Sequence, residues 1–224
     1  MSAQVPTSKY IGAISHLPVG STLTIPDVSW EEYEELLEEL DERFAVRVTY
    51  NNGRLEIVSP SYRHEKYKEL ISDIARAVAN QFGLKLEKSG STTFKQTKFA
   101  QGAEPDLSFY VQNAAIVCSK DIIDLNVDPP PDVVVEIDVT RETPNKLDIY
   151  AGIGVPELWR YDGQRVRIYL LLSGHYTEME TSAAFPVLTS EILTRFLDQC
   201  KSEGQSSTLS AFQQWLSSQR EQKG

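Results

Sequence analysis

The alternation of apolar and polar residues between Asp132 and Thr140 predicts the central strand of the fold. Positions two residues apart are apolar along this stretch: Val133, Val135, Ile137 and Val139. Because successive side chains of a strand point to opposite faces, these residues belong to a core, and Glu136 and Asp138 share the other face. Their carboxylates lie about 7 Å apart along the strand, where like charges repel unless a positive group stands between them. A metal ion is one candidate for that group.

A helix is predicted directly after this strand. Thr143 and Pro144 have the residue types of an N-cap followed by the first helical position. This start places Lys146 in the first turn, where the positive end of the helix dipole disfavours a cation. We therefore expect the ammonium of Lys146 to have an acid or a phosphate nearby. A surface pair with Glu142 or Asp138 is the alternative.

The remaining periodicity predicts a mixture of helices and strands. Asn52 and Gly53 join two alternating runs into a β-hairpin, because this dipeptide suits a left-handed turn. Ser29 with Glu32 is a capping-box signature that begins a helix over 29–42. The other predicted helices cover 62–82, 189–200 and 208–219, and the other predicted strands cover 84–88, 92–98, 106–111, 157–161, 165–172 and 176–179.

Length and composition indicate one globular domain. The chain has 224 residues, of which 41% are hydrophobic and 24% charged, so it can bury a sizeable core. Residues 1–25 lack a sustained period and are predicted to form an extended arm before a single domain over 26–220. The chain has no run of about 18 apolar residues and no signal-peptide pattern, so we expect a cytoplasmic protein without a membrane partner.

The net charge of −10 argues against nonspecific nucleic-acid binding as the main role. A third of the acid is concentrated in the helix over 29–42 and in the presumed cleft, however, so a local basic surface can persist elsewhere. Candidate residues for that surface are Arg63, Lys66, Lys68, Lys95 and Lys98. A divalent cation in the cleft would offset part of the negative charge there.

A second stretch with candidate chemistry runs from Glu104 to Val111. Its apolar residues alternate so that Asp106 lies on the polar side, at the start of a strand. A turn aspartate after proline is the alternative reading of this residue. If the two strands share a core, Asp106 and Glu136 converge at one cleft, and such a pair of carboxylates suits Mg²⁺. Lys146 would then orient or deprotonate a nucleophile, or balance the charge that develops in phosphodiester hydrolysis.

The order of these residues resembles the PD-(D/E)XK nuclease superfamily, and within it the restriction-endonuclease-like family once called domain of unknown function 820. The resemblance covers roughly residues 30–215. It rests on the hairpin 50–55 followed by Ser59-Pro60 and His64, on Glu104-Pro105-Asp106, on Val134-Val135-Glu136, and on Lys146-Leu147 to Tyr150 with the segment 154–159. It implies an α/β fold of mixed α+β type, a central mixed sheet flanked by helices. It also implies that Asp106 and Glu136 bind metal and that a lysine completes the site.

One position departs from the superfamily pattern. Asp138 stands two residues after Glu136, where the general motif has lysine, and we assign the role of that lysine to Lys146. Asp138 either adds a ligand to the metal site or pairs with Lys146 or Arg141. Glu65, in the first turn of the helix over 62–82, is either a favourable acid at a helix start or part of the site.

Three functions compete on this evidence. The first is a DNA endonuclease that depends on Mg²⁺ or Mn²⁺, with Asp106, Glu136 and Lys146 as catalytic residues and Asp106, Glu136 and Asp138 as metal ligands. The second is a catalytically inactive, nuclease-like DNA-binding or regulatory module, and the third is a metal-dependent hydrolase of smaller phosphate esters. A DNA enzyme must present Lys and Arg over several phosphates, which separates the first from the third. For an enzyme that cuts both strands we expect a homodimer.

Overall fold

The structure is a computed structural model that describes residues 8–40, 44–139 and 146–221. The helices are α1 Ser8–Ser15, α2 Trp30–Glu39, α3 Tyr62–Phe82, α4 Ala114–Val117, α5 Leu147–Ile153 and α6 Ser190–Glu221, and a 3₁₀ turn spans Thr97–Phe99. The strands are β1 Thr22–Ile25, β2 Arg47–Asn51, β3 Arg54–Val58, β4 Glu87–Lys88, β5 Phe94–Gln96, β6 Gln101–Ala103, β7 Leu107–Tyr110, β8 Val133–Ile137, β9 Glu157–Tyr161, β10 Val166–Leu172 and β11 His175–Met179.

The chain divides into two compact units. The first unit comprises residues 1–61 and 93–104, and the second comprises residues 62–92 and 105–224. Whether they fold together as the one domain predicted over 26–220 stays a prediction. Within the described residues, no helix has the length and hydropathy that crossing a bilayer requires.

The first unit contains an antiparallel sheet in the order β1-β3-β2-β6-β5. Its hairpin has the predicted turn, since Asn52 (φ 46°) and Gly53 (φ 89°) both adopt left-handed backbone. The extended arm predicted for residues 1–25 is wrong for the part described. Tyr10 of α1 is buried in the core of this unit, and β1 pairs with β3. Elements of eight and four residues are too short to show a sustained period.

The second unit contains a mixed sheet in the order β11-β10-β9-β8-β7-β4, in which β8 and β9 are parallel. The predicted alternation of β8 is confirmed, because Val133, Val135 and Ile137 join one buried cluster with the apolar faces of α3 and α6. The two helices predicted at the C-terminus form α6, which Gly204 (φ 79°, ψ 172°) interrupts. The predicted fold class, a mixed sheet flanked by helices, is confirmed, although β2 and β3 belong to the separate antiparallel sheet.

Candidate active site

Asp106 and Glu136 lie beside each other at the carboxyl end of β8. Strand β7 runs antiparallel to β8 with Leu107 opposite Val135, so the next pair along is Asp106 and Glu136. Both residues are buried. A carboxylate oxygen of Asp106, Oδ2, accepts the backbone N–H of Ile137 at 2.7 Å, which ties the start of β7 to the end of β8. The register therefore brings the two acids together, and their role as metal ligands stays a prediction.

Helix α5 supplies both side-chain partners of Glu136. The Nζ of Lys146 lies 2.9 Å from Oε2 of Glu136, and the hydroxyl of Tyr150 donates to Oε1. Lys146 and Tyr150 are four residues apart, so they lie on the same side of the helix. The lysine is buried, and its acid partner is Glu136 rather than a surface carboxylate. Both oxygens of the Glu136 carboxylate are therefore held from one helix.

The start of α5 differs from the prediction. Lys146 occupies the N-cap position and the helix begins at Leu147, whereas the predicted cap at Thr143 and Pro144 lies outside the described residues. The helix ends at Gly154, whose φ of 85° is left-handed, as is common for a C-cap glycine. The side chain of Lys146 makes no capping hydrogen bond and extends to Glu136.

Asp106 is held from helix α3. Its Oδ1 lies 2.9 Å from Nε2 of His64, in the first turn of that helix. Glu65 stands on the far side of the imidazole, with its Oε1 3.3 Å from Nδ1 of His64, and its other oxygen pairs with Lys68 at 2.5 Å. Glu65 therefore contacts the partner of Asp106 rather than Asp106 itself.

The two acids have pKa values shifted in opposite directions. Burial raises the pKa of Glu136 to about 7, and the charges of Asp106 and Asp138 add to that shift against the opposing effect of Lys146. Burial also acts to raise the pKa of Asp106, but hydrogen bonding and charge from His64 outweigh it and leave that pKa below its ordinary value. Burial acts to lower the pKa of Lys146, and Glu136 with Asp106 outweighs it, so the pKa of the ammonium is raised. The site therefore holds an ionised aspartate, a charged lysine and a glutamate whose pKa, about 7, lies near neutrality.

Asp138 pairs with Arg160, a residue that was not among the partners weighed for it. Its Oδ2 accepts Nε of Arg160 at 2.6 Å. Arg160 lies on β9 directly opposite Glu136 in the parallel register. Lys146 is bonded to Glu136, and Arg141 lies outside the described residues. The ion pair gives Asp138 a role in anchoring Arg160, and its role as a metal ligand stays a prediction.

Three partners in this network had no assigned role at the level of sequence, although each has a local signal. His64 stands three residues before Tyr67 on the apolar side of α3, so its ring points inward. Tyr150 follows Lys146 at the spacing of one helical turn. Arg160 is the polar position between two buried aromatic residues of β9 and therefore faces the same side as Glu136.

Comparison with known proteins identifies the family of the chain and supports its fold. The family model Uma2, described as "Putative restriction endonuclease", matches residues 30–198, more than half of the chain. The chain belongs to this family. A solved structure described as a "putative nuclease belonging to DUF820", from Anabaena variabilis ATCC 29413, is similar to the Uma2 chain with a TM-score of 0.50 and 16% identity, over 76% of this chain and 99% of the other. No curated protein matches the chain. The predicted family is confirmed, and the likeness to the solved structure shows the fold alone.

Proposed function

We propose that this Uma2 protein is a DNA endonuclease that hydrolyses phosphodiester bonds with Mg²⁺ or Mn²⁺ bound near Asp106 and Glu136. The observation that carries the proposal is the buried contact between Lys146 and Glu136 beside Asp106. Burying the ammonium of Lys146 beside the carboxylate of Glu136 has a high free-energy cost of desolvation. A residue that only stabilised the fold would not require a buried charge. The membership of the chain in a family described as "Putative restriction endonuclease" supports the same reaction class.

The donor set fits the proposed cation. Asp106 and Glu136 offer only carboxylate oxygens, which Mg²⁺ prefers, and Mg²⁺ commonly takes one or two carboxylates and keeps several waters. Across residues 8–40, 44–139 and 146–221 no cluster of three or more His, Cys, Asp or Glu is arranged to hold a metal ion. Two acids completed by water or by phosphate oxygens satisfy Mg²⁺ without such a cluster. When bound, the cation would polarise the scissile phosphate and activate a water.

Lys146 has a defined part in the proposed reaction. Because its pKa is raised, the ammonium is charged at neutral pH and donates hydrogen bonds rather than accepting a proton. Hydrolysis joins a water oxygen to phosphorus and breaks a phosphorus–oxygen ester bond, and negative charge builds on the phosphoryl oxygens in between. A fixed ammonium at this position stabilises that charge. Its hydrogen bond with Glu136 positions it before substrate arrives.

A nuclease-like module without activity is the second candidate, and one observation favours it. In this structure each acid already has a side-chain donor, since His64 bonds Asp106 and Lys146 bonds Glu136. Such a network can stabilise the fold by itself, and a cation bound there would compete with the resident donors for the carboxylate oxygens. The two candidates differ in whether a divalent cation competes with the resident side chains.

The test is cleavage of supercoiled plasmid DNA by purified protein. With Mg²⁺ or Mn²⁺ the wild type is expected to nick the plasmid, and chelator is expected to stop it. Glu136→Gln and Asp106→Asn are expected to lose the activity, while Asp121→Asn, the same change at an exposed aspartate, keeps it. Equal activity in Glu136→Gln and the wild type would exclude this site. Sedimentation of the wild type in the presence of DNA tests the expected homodimer.

A further inference from the structure

Three arginines lie on the face of the mixed sheet that carries Glu136. Arg160 of β9 stands opposite Glu136, and Arg167 of β10 stands opposite Arg160. The side chains of Glu136, Arg160 and Arg167 therefore share one face. Arg165, at the start of β10, reaches the same face, because it pairs with Glu178 of β11. Glu178 stands opposite Tyr169, two residues along β10 from Arg167. We call Arg160, Arg167 and Arg165 the arginine row.

We propose that the arginine row binds successive phosphates of a DNA strand and leads that strand to Glu136. The inference rests on the proposed function and names the surface that would recognise the polymer. The opposite face of the same strands is filled by the core, where Trp159 and Ile168 pack under α3 and α6. The arginine side chains are in contrast accessible, and their exposed fraction rises from 27% at Arg160 to 31% at Arg167 and 52% at Arg165.

The length of the row fits a polymer rather than a single phosphate. Neighbouring strands are about 4.8 Å apart, so Glu136 and Arg167 are separated by roughly 10 Å across the sheet. One DNA strand carries a charge about every 3.4 Å along the helix axis and winds around that axis, so that distance covers more than one phosphate. A small phosphate ester would occupy only the site at Glu136. The row therefore favours DNA over the smaller esters considered above.

Three of the lysines expected to form a basic surface have polar partners, and no strand register links any of them to Glu136. Lys66 donates to the carbonyl of Cys200 at 2.8 Å, Lys68 pairs with Glu65, and Lys95 pairs with Glu34. In the arginine row, Arg160 is instead the cross-strand neighbour of Glu136, and Arg167 is the cross-strand neighbour of Arg160.

Each arginine of the row has an acid partner, and the partners differ in how easily a phosphate can replace them. The side chain of Asp138 is only 7% exposed and fixes Arg160 through Nε, which leaves the terminal guanidinium nitrogens as donors. Arg165 and Glu178 are both about half exposed, and an exposed ion pair contributes only about 0–1 kcal/mol. A phosphate can therefore replace Glu178 at little cost. The acids keep the arginines extended and limit nonspecific affinity, in line with the net charge of −10.

The test separates DNA binding from cleavage. In a Glu136→Gln background, anisotropy of a labelled duplex is measured over a salt series. Arg167→Gln and Arg165→Gln are expected to weaken binding about tenfold each and to reduce the salt slope by about one. Arg167→Lys is expected to retain part of the affinity. Glu178→Gln is expected to tighten binding several-fold, an effect that a purely structural arginine pair would not give. Arg76→Gln, an exposed arginine of α3, is the control.

Cleavage by the otherwise wild-type protein provides the second readout. Arg167→Gln is expected to lower kcat/KM for plasmid about tenfold through KM, while hydrolysis of bis(p-nitrophenyl) phosphate stays unchanged. Equal losses on both substrates, or equal DNA affinity of Arg167→Gln and Arg76→Gln, would overturn the proposed role of the arginine row in DNA binding. Absence of DNA binding by every protein at low salt would instead overturn the proposed function together with the row. Binding that depends on the row without any cleavage would support the row on an inactive module.

Discussion

The two ends of strand β8 hold buried carboxylates with different kinds of partner. At the amino end, Asp132 accepts the backbone N–H of Val111 at 2.7 Å and two N–H groups of Asn113. Glu157, opposite Val133, accepts Nε1 of Trp159 and the backbone N–H groups of Ala183 and Ala184. These donors are neutral, and none of them titrates near neutral pH. Both acids therefore fasten loops to the end of the sheet.

At the carboxyl end the side-chain partners are ionisable, although Asp106 also accepts the backbone N–H of Ile137. Asp106 bonds His64, and Glu136 bonds Lys146 and Tyr150. A cation or a phosphate can compete with such side chains, because they can turn away or change protonation, whereas a backbone N–H group cannot leave without unfolding its loop. The comparison teaches that burial of an acid does not by itself identify a functional site. We propose that the chemical type of its hydrogen-bond partners separates a functional acid from a structural one.

The largest expected effect is that of Lys146→Met. Loss of one fixed donor to developing charge is expected to lower cleavage roughly 10²–10³-fold, measured by plasmid nicking. Mn²⁺ binding, measured by calorimetry, is expected to persist because the carboxylates remain. Lys120→Met is the matched control, since Lys120 pairs with Asp128 at 2.7 Å outside the site. Circular dichroism checks that the variant folds, and a Met variant that cuts at the wild-type rate would remove Lys146 from the mechanism.

Glu157→Gln is expected to lower the stability of the fold and leave cleavage unchanged, the reverse of Lys146→Met. The amide nitrogen of glutamine faces at least one N–H donor, so one hydrogen bond is lost and the free energy of unfolding falls by about 1–3 kcal/mol. For a chain of this size that lowers Tm by roughly 2–4 °C per kcal/mol, which calorimetry measures. Cleavage per folded molecule is expected to be unchanged. A cleavage defect at the wild-type Tm would contradict the division between the two ends of β8.

Metal affinity is expected to depend on pH through Glu136. Since its pKa is raised to about 7, the carboxyl holds a proton below that pH, and a metal must displace the proton. Apparent Mn²⁺ affinity is therefore expected to fall by up to about tenfold per pH unit below 7 and to level off above it. Calorimetry at pH 6, 7 and 8 measures this. Glu136→Gln should show no such step, and an identical step in that variant would assign the proton to another group.

Tyr150→Phe is expected to have the smallest effect. Removing the hydroxyl leaves Oε1 of Glu136 without that donor, a change of about 1 kcal/mol, so the Mg²⁺ concentration for half-maximal cleavage shifts about fivefold while kcat changes less. Tyr176→Phe is the matched control, because its hydroxyl donates to the carbonyl of Val155 at 2.8 Å. Equal metal dependence in the two variants would make the contact of Tyr150 structural only.

Features with a local cause could be predicted from the sequence, and those with a remote cause could not. The capping box at Ser29 and the Asn52-Gly53 turn were confirmed, because a few adjacent residues determine each of them. The contact of His64 with Asp106 joins residues 42 positions apart, and Glu157 is held by backbone N–H groups 26 and 27 positions away. Backbone donors carry no side-chain signature, so no pattern of residue types marks them.

The parallel pairing of β8 with β9 has a consequence for how relatives are recognised. A parallel pair requires the chain to travel back from the carboxyl end of one strand to the amino end of the other, and α5 lies on that return path. A cation beside Glu136 can therefore come either from the strand, two residues on, or from the returning segment, where Lys146 stands ten residues on. A search pattern that requires lysine at the first spacing misses sequences that use the second. A pattern that allows both spacings would group sequences by the position of the lysine in space.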